Sequence, residues 1–256
     1  MSSFYKYQIL EKEVVISDLN NQIKITKNEF RNQSEKLGFS IKSQLGGAST
    51  LLNAGKTTNF IYKISQRNLT KQQIEEINAI DTRSKIRDRI ETLKNLKGIL
   101  HFENPESSVF ENNLVLIDSA LPKIISEILL LFFASNYSKT SDLIAEISKT
   151  NPLGYNLDNN HPFYSYKIKR FLTDIALGMM PSKVWTGELD ATGGYLVVKE
   201  NGDILCYHIY NRNEFEDYLF TNTKLETASS TRHEFGTIYE KNGQLYFKLN
   251  LQIRFL

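Results

Sequence analysis

Residues 37–46 read LGFSIKSQLG, and the predicted fold depends on this stretch. Apolar and polar residues alternate along it, which is the pattern of a strand with one buried face. Alternate residues of a strand point to the same side, so Ser40, Lys42 and Gln44 share the polar face. The pattern predicts a half-buried strand, called the lysine strand below, with Lys42 near its end.

Two shorter runs on the N-terminal side of the lysine strand also have strand character. Residues 14–16 and 22–25 are rich in Val and Ile. The DLNN sequence at 18–21 suits a tight turn because Asp and Asn side chains bond to nearby backbone groups. With the lysine strand, these runs predict a three-stranded meander. Residues 49–53 are predicted to begin a short helix.

The middle of the chain changes to helical spacing, with apolar residues three and four positions apart. The predicted helical segments are residues 70–96, 112–136 with a break near Pro122, 139–149, and 163–177. The most apolar run, 124–134, is well short of the roughly 20 residues that span a bilayer, which predicts a buried core helix. Residues 151–162 are rich in turn residues and are the best internal boundary.

The C-terminal part has the signals of two hairpins. Asn-Gly pairs at 201–202 and 242–243 each separate two apolar runs, and Asn-Gly in that position is a strong hairpin signal. We therefore predict an α+β (mixed α/β) fold in two parts. Residues 1–150 would form a core with helices, and residues 151–256 would add a helix and β-hairpins packed on that core.

Composition excludes few classes of protein. The formal net charge of +2 is too small to indicate a nucleic-acid partner unless the charges are clustered. The single cysteine, Cys206, cannot form an internal disulfide, and the first residues lack the apolar run of a secretion signal. We therefore expect a cytoplasmic protein with no membrane partner. Cys206 lies in an apolar run and is expected to be buried.

A lysine on a strand suits one kind of chemistry in particular. Magnesium-dependent nucleases need an acid that holds the metal and a lysine that stabilises the attacking hydroxide or the charge on phosphorus. Ser40 and Lys42, on one strand face, match part of that arrangement. The spacing alone is a weak signal, because an edge lysine is more often only solvated.

Longer motifs surround the lysine strand and recur near the C-terminus. They are LGFSIKSQLG at 37–46, TLLNA at 50–54, TNF at 58–60, LDATGGY at 189–195, CYHIYNRN at 206–213, NTKLET at 222–227 and LNLQIRF at 249–255. Over about residues 37–255 the chain closely resembles the HpaII-type restriction endonucleases. The N-terminal helical region usual in that family is not recognised, so we expect the chain to be shortened at its N-terminal side.

The resemblance implies a type II restriction endonuclease, a site-specific deoxyribonuclease. Such an enzyme cleaves double-stranded DNA with Mg²⁺ at a short palindromic site, CCGG for the family's namesake. The implied fold is a variant PD-(D/E)xK nuclease core with a hairpin-rich, DNA-binding C-terminal part. A palindromic site is compatible with a homodimer, and a cognate DNA methyltransferase would be the functional counterpart in a prokaryotic cytoplasm.

In the implied site, Lys42 is the catalytic lysine. Ser40 stands where the common core has an acid, and Gln44 could offer an amide oxygen or meet a backbone phosphate. Two assignments of the metal-holding acid stay open. Asp18 is the candidate if its segment precedes the lysine strand in the sheet, although an Asp beginning a hairpin turn is more often a turn residue. Alternatively, residues 14–30 match a non-catalytic strand pair, and the acid is missing.

DNA contacts are expected from polar residues in loops and at strand ends. The candidates are Lys56, Thr58, Asn59, His208, Asn211, Arg212 and Arg232. An Asn/Arg pair such as Asn211 and Arg212 can pair bidentately with base edges, although the same stretch could simply cap a helix. The basic segment 83–89 could lie along phosphates, but interleaved acids favour a solvated helix face.

A second class of function also fits these residues. The chain could be a catalytically weakened relative that binds DNA or a partner without the metal-site aspartate. The two hypotheses differ in one observable feature. An active nuclease requires an Asp or Glu near both Ser40 and Lys42 in space, and the weakened relative does not.

Overall fold

The computed structural model describes residues 15–16, 23–24, 39–43, 49–65, 69–191, 194–199, 201–208 and 212–256. The strands are β1 (Val15–Ile16), β2 (Ile23–Lys24), β3 (Phe39–Ser43), β4 (Thr50–Leu52), β5 (Asn59–Ser65), β6 (Ile99–Pro105), β7 (Gly194–Val198), β8 (Ile204–His208), β9 (Thr223–Leu225), β10 (Ile238–Lys241), β11 (Gln244–Asn250) and β12 (Ile253–Phe255). The helices are α1 (Lys71–Ala79), α2 (Lys85–Asn95), α3 (Ser108–Ile117), α4 (Leu121–Ala134), α5 (Thr140–Thr150), α6 (Phe163–Ala176), α7 (Arg212–Thr221) and α8 (Ser230–His233). The mixed α and β content agrees with the predicted α+β class.

The strands form small sheets. The largest has the order β10-β11-β5-β6 and is antiparallel throughout, and β4-β12-β9 form a second antiparallel sheet. A third sheet has the order β3-β7-β8, and β1 pairs with β2 alone. Each of the three larger sheets joins strands from before residue 150 with strands from after it. The two predicted parts therefore share backbone hydrogen bonds, and their division at 151–162 stays a prediction.

The lysine strand is β3, but the predicted meander is wrong. Strand β3 runs parallel to β7, with Phe39 opposite Gly194 and Lys42 opposite Val197, whereas β1 and β2 pair with each other. The segment predicted to begin a helix at 49–53 instead contains strand β4. The two errors have different causes. The period of a strand does not say which strand it pairs with, and the short apolar run in β4 has no period that separates a helix from a strand.

Helix α4 lies at the centre of the core. It packs against β6 and β11 on the sheet side and against α2, α3, α5 and α6 around it. Its buried residues are Leu121, Pro122, Ile124, Ile125, Ser126, Ile128, Leu129 and Phe133. Tyr62 of β5 donates a hydrogen bond through its hydroxyl to the carbonyl oxygen of Ser126, 2.8 Å away. The predicted buried core helix is confirmed.

The other predicted helical segments are also helical, but 70–96 is divided into α1 and α2, and α3 begins at Ser108 rather than at 112. Local signals set several of the boundaries. Thr70 and Gln73 form a capping box that begins α1. Pro122 lies in the first turn of α4 and marks the predicted break after α3. Asn151 ends α5 in the left-handed conformation, with φ of 45°.

Both predicted hairpins are present, as β7–β8 and β10–β11. Asn242 and Gly243 have φ of 53° and 73°, the positive pair that a type I′ turn requires. Cys206, predicted to be buried, is exposed on β8. Within the described residues, no helix is both long and apolar enough to cross a membrane.

Candidate active site

Lys42 and Ser40 line an open cleft of about 510 Å³, called the lysine cleft here. One wall is formed by residues 39–42 of β3, and a second by residues 51–55 and 57, in β4 and the turn that follows it. The third wall is the end of α6 with the segment after it, residues 175–182, joined by residues 190 and 191. Segments that are far apart in the sequence thus meet around the lysine.

The Lys42 ammonium is held at the edge of this cleft. Its Nζ donates a hydrogen bond to the carbonyl oxygen of Thr50, 3.3 Å away. Partial burial lowers the pKa of Lys42 below its ordinary value, because desolvation disfavours the charged form. The side chain is therefore a positioned cation in poorly solvated surroundings, which strengthens its attraction for an anion in the cleft.

The turn that forms one rim of the lysine cleft is held by a buried amide network. Residues Lys56–Thr58 make a single 3₁₀ turn, in which Thr58 N donates to Gly55 O at 3.1 Å. Asn250 of β11 donates through Nδ2 to Gly55 O at 2.8 Å and to Asn59 Oδ1 at 2.7 Å. The rim is therefore anchored to the largest sheet.

Asp190 brings a carboxylate to the same cleft. Its backbone N donates to Leu177 O at 2.9 Å, which ties it to the end of α6. Its side chain is packed against Gly178, where a Cβ atom would lie 2.7 Å from Asp190 Oδ2. Asp190 is exposed in the cleft, so a ligand there can reach it.

Two of the predicted DNA-binding residues lie in the interior of the structure. Thr58 and Asn59 are fully buried, with 0% exposure, in the network around Asn250. Asn59 also donates to Glu106 Oε2 at 2.8 Å and to His233 O at 2.9 Å. Both side chains are therefore part of the interior of this structure, and their contact with DNA stays a prediction.

The remaining DNA candidates are spread over two regions. Lys56 is exposed beside the lysine cleft and forms an ion pair with Glu234, with 2.5 Å between Nζ and Oε1. Arg212 begins α7 and donates through Nε to Glu216 Oε1 at 2.7 Å. Arg232 is exposed on α8. Their contact with DNA stays a prediction.

Several predicted site residues are not placed by the structure. Asp18, Gln44 and Asn211 lie outside the described residues. The backbone of His208 belongs to β8, opposite Gly194, but its side chain is outside the description. The roles predicted for these four residues therefore remain predictions.

Sequence reasoning had not given Asp190 a role. The residue lies in the LDATGGY motif, yet a single aspartate there has no ligand spacing that would mark it. Within the described residues, no three of His, Cys, Asp and Glu come together as a metal-binding group. Asp190 becomes a candidate because it lines the same cleft as Lys42 in the folded chain.

Comparison with known proteins agrees with the motifs around this cleft. The family model described as HpaII restriction endonuclease matches residues 1–255. The chain belongs to the HpaII restriction endonuclease family. The match begins at the first residue, so the resemblance expected from residue 37 extends over the N-terminal segment as well.

One curated relative within the HpaII restriction endonuclease family matches closely. The Type II restriction enzyme HpaII of Haemophilus parainfluenzae is 56% identical over 220 residues, which is 86% of this chain. The match covers 60% of the relative, so the chain spans less than two thirds of its length. No solved structure matches this chain.

Proposed function

We propose that this chain is a type II restriction endonuclease that hydrolyses double-stranded DNA in the lysine cleft, with Mg²⁺. The observation that carries the proposal is that an acid, Asp190, and a lysine, Lys42, line one open cleft. An acid near Ser40 and Lys42 is the feature that separates an active nuclease from a weakened relative. The name of the 56% identical relative gives the class of activity.

Lys42 would act on the phosphate of the scissile bond. As water adds to phosphorus, negative charge grows on the non-bridging oxygens, and an ammonium already in place stabilises that charge. The bond from phosphorus to O3′ then breaks and O3′ takes up a proton, which leaves a 5′-phosphate and a 3′-hydroxyl. Its hydrogen bond to Thr50 O keeps the Lys42 ammonium oriented before the substrate arrives.

The oxygen donors of the cleft fit a magnesium ion. Mg²⁺ is commonly held by one or two carboxylates, with water and substrate phosphates as the other ligands. The Asp190 carboxylate and the Ser40 hydroxyl both line the cleft and are donors of this kind. When bound there, Mg²⁺ would polarise a phosphoryl oxygen as a Lewis acid. Asp18 and Gln44 stay candidates for further ligands.

The recognised site and the partners are part of the same proposal. The site is a short palindrome, with CCGG as the sequence that the family resemblance implies. A palindrome presents equal half-sites, so we propose that two protomers act on it as a homodimer. A cognate DNA methyltransferase would protect the same site, and the prokaryotic cytoplasm is the compartment that this function requires.

A cleavage assay tests the proposal directly. The purified protein is incubated with unmethylated plasmid DNA in the presence of Mg²⁺ or of EDTA. Discrete fragments that form only with Mg²⁺, and not with Lys42→Ala, are expected. A parent protein that binds the plasmid tightly but leaves it uncut with Mg²⁺ would contradict the proposal and favour the weakened DNA-binding relative.

A further inference from the structure

A second cleft, called the basic cleft here, opens beside the N-terminal end of α2. Its volume is about 450 Å³. Residues 83–87 form one wall, the end of α4 and the segment after it (132–138) form another, and the loop 227–231 that leads into α8 forms the third. The basic segment 83–89, which the sequence offered as a possible DNA contact, thus meets the loop next to the DNA candidate Arg232 at one surface.

The charge of the basic cleft has one sign. Arg83, Lys85 and Arg87 line it, and no Asp or Glu is among the described residues of its lining. Most of the other lining residues carry a hydroxyl, such as Ser84 and Ser229. Cations combined with hydroxyl and backbone N–H donors are the groups that proteins use to contact DNA phosphates.

The three cations differ in the hydrogen-bond and ion-pair partners that they already have. Lys85 forms an ion pair with Asp81, 2.9 Å between Nζ and Oδ1. Arg87 donates to Asn136 Oδ1 at 2.7 Å and to the carbonyl oxygen of Ser135, and its buried Nε has no partner in the described part of the chain. Arg83 is exposed and makes no hydrogen bond or ion pair within that part. Arg83 is therefore the cation most available to a ligand.

The N-terminal end of α2 adds to the positive electrostatic field in the basic cleft. This helix begins at Lys85, and the Ser84 side chain makes no capping hydrogen bond to its first turn. The first N–H groups of a helix lack partners inside the helix and carry its positive pole, which favours an anion. The N-terminal end of α2 therefore adds to the attraction of the basic cleft for an anion.

We propose that the basic cleft binds a backbone phosphate of the DNA whose scissile bond lies in the lysine cleft. The proposal rests on the proposed nuclease function and extends it to a second, sequence-independent contact. A phosphate is favoured over a base or a peptide because the cleft offers cations and hydroxyls but no carboxylate acceptor among its described lining.

Geometry supports contact with a single DNA molecule. Thr231 lines the basic cleft, and three positions further on Glu234 pairs with Lys56, which lies between two residues of the lysine cleft. The Asn59 side chain also donates to His233 O. Helix α8 therefore links a residue that lines the basic cleft to a residue beside the lysine cleft. A duplex presents a phosphate about every 3.4 Å along each strand, so one DNA molecule can offer phosphates to both clefts.

The test uses Arg83→Ala in the full chain and measures binding rather than cleavage. A fluorescent duplex without CCGG is titrated in EDTA over a range of salt concentrations, so the result does not depend on catalysis. The variant is expected to bind several-fold more weakly, and the slope of log K against log salt is expected to shrink by about 0.9, the value for one lost phosphate contact. Arg83→Lys should retain most of the affinity because it keeps the charge.

Lys94→Ala is the matched control, because Lys94 is an exposed cation at the other end of α2. Its affinity and salt slope should equal those of the parent, and thermal denaturation should be the same for all variants. Equal affinity and slope for Arg83→Ala and the parent would overturn the proposal. Competition by inorganic phosphate that depends on Arg83, without any change in duplex binding, would overturn the assignment to DNA. A parent that binds as described but does not cleave would contradict only the proposed function.

Discussion

Lys42 of β3 donates a hydrogen bond to the carbonyl oxygen of Thr50 in β4, with Nζ and O 3.3 Å apart. The two strands belong to different sheets, β3 with β7 and β8, and β4 with β12 and β9. The contact therefore holds the ammonium where two sheets meet, at the rim of the lysine cleft. A long, flexible side chain loses much of its freedom in this arrangement before any substrate binds.

Replacing Lys42 with alanine should lower the cleavage rate at saturating DNA by about 10²–10³-fold, the usual cost of removing one charge-stabilising donor from an active site. Duplex affinity should change little by comparison. Single-turnover cleavage and fluorescence anisotropy measure the two quantities. Lys63→Ala is the control, since Lys63 is an exposed lysine of β5. A Lys42→Ala variant that cuts as fast as Lys63→Ala would exclude Lys42 from catalysis.

The pH dependence of cleavage should reflect the burial of Lys42. Desolvation lowers the pKa of Lys42 below the model-compound value of 10.5, so the ammonium loses its proton at a lower pH than an exposed lysine does. Cleavage that needs the ammonium should therefore fall on the alkaline side below pH 10.5. In Lys42→Arg, the remaining cleavage activity should fall only at a higher pH, because a guanidinium stays charged. Cleavage rates of both proteins are measured across neutral and alkaline pH. An alkaline fall at the same pH in both would contradict the prediction.

The same shift affects stability with a definite sign. Between the folded pKa of Lys42 and 10.5, the unfolded chain binds more protons than the folded one. The contribution of Lys42 to the free energy of unfolding therefore rises with pH through this window and is least favourable below it. Denaturant unfolding of the parent and of Lys42→Met across that window should differ in pH slope, with the steeper rise in the parent.

Asp190→Asn should raise the Mg²⁺ concentration needed for cleavage while leaving duplex binding in EDTA intact. An amide is a weaker ligand than a carboxylate for a hard cation, and the substitution keeps size and shape. The control is Asp158→Asn, an exposed acid in the loop after α5. Magnesium titrations of cleavage test this directly. An unchanged Mg²⁺ requirement in Asp190→Asn would remove Asp190 from the metal site and return attention to Asp18.

Gly178→Ala should damage the same site by displacing Asp190. Gly178 has φ of 139°, which alanine adopts poorly, and its new Cβ would lie 2.7 Å from Asp190 Oδ2. Gly154→Ala separates the two effects, because Gly154 has φ of 67° but no atom within 4 Å of a Cβ. Both variants should lose stability in thermal unfolding. Only Gly178→Ala should also raise the Mg²⁺ requirement, and equal requirements in both would contradict the contact with Asp190.

Arg89 should be among the most important polar residues for stability. It is buried in α2 and donates to Gly236 O at 2.6 Å, to Asn78 O at 2.6 Å and to Ile80 O at 2.7 Å. Arg89→Met would leave these carbonyls without their donor and should lower the free energy of unfolding by about 3 kcal/mol. Lys94→Met, on the exposed face of the same helix, should change it by about 0.5 kcal/mol or less. Urea denaturation compares them, and equal losses would refute the role of Arg89.

The helices α1 to α6 and both C-terminal hairpins follow from local patterns. Helical spacing identifies a face, and Asn-Gly allows the positive φ angles of a tight hairpin turn. Such signals act over a few residues, so the chain carries them without reference to its fold. The strand that holds Lys42 was predicted in the same way, from alternation over residues 37–44.

Contacts between residues that are distant in the sequence could not be predicted from such local signals. The pairing of β3 with β7 in parallel was not predictable, because a parallel pair has no turn of its own to mark it. Thr58 and Asn59 resembled a solvated loop, yet a side chain almost 200 positions away, Asn250, makes them part of the core. Polarity alone does not reveal such a partner.

The candidate site also depends partly on signals in the sequence and partly on the tertiary structure. The alternation of apolar and polar residues placed Lys42 on a strand, and the family motifs made it a candidate catalytic residue. Both are properties of the sequence. The approach of Asp190 to the lysine cleft depends on the Leu177 carbonyl at the end of α6, and the basic cleft depends on three separate segments. Clefts form where segments distant in sequence pack together, and only the tertiary structure specifies that packing, because burial and hydrogen bonding between such segments have no short-range signature.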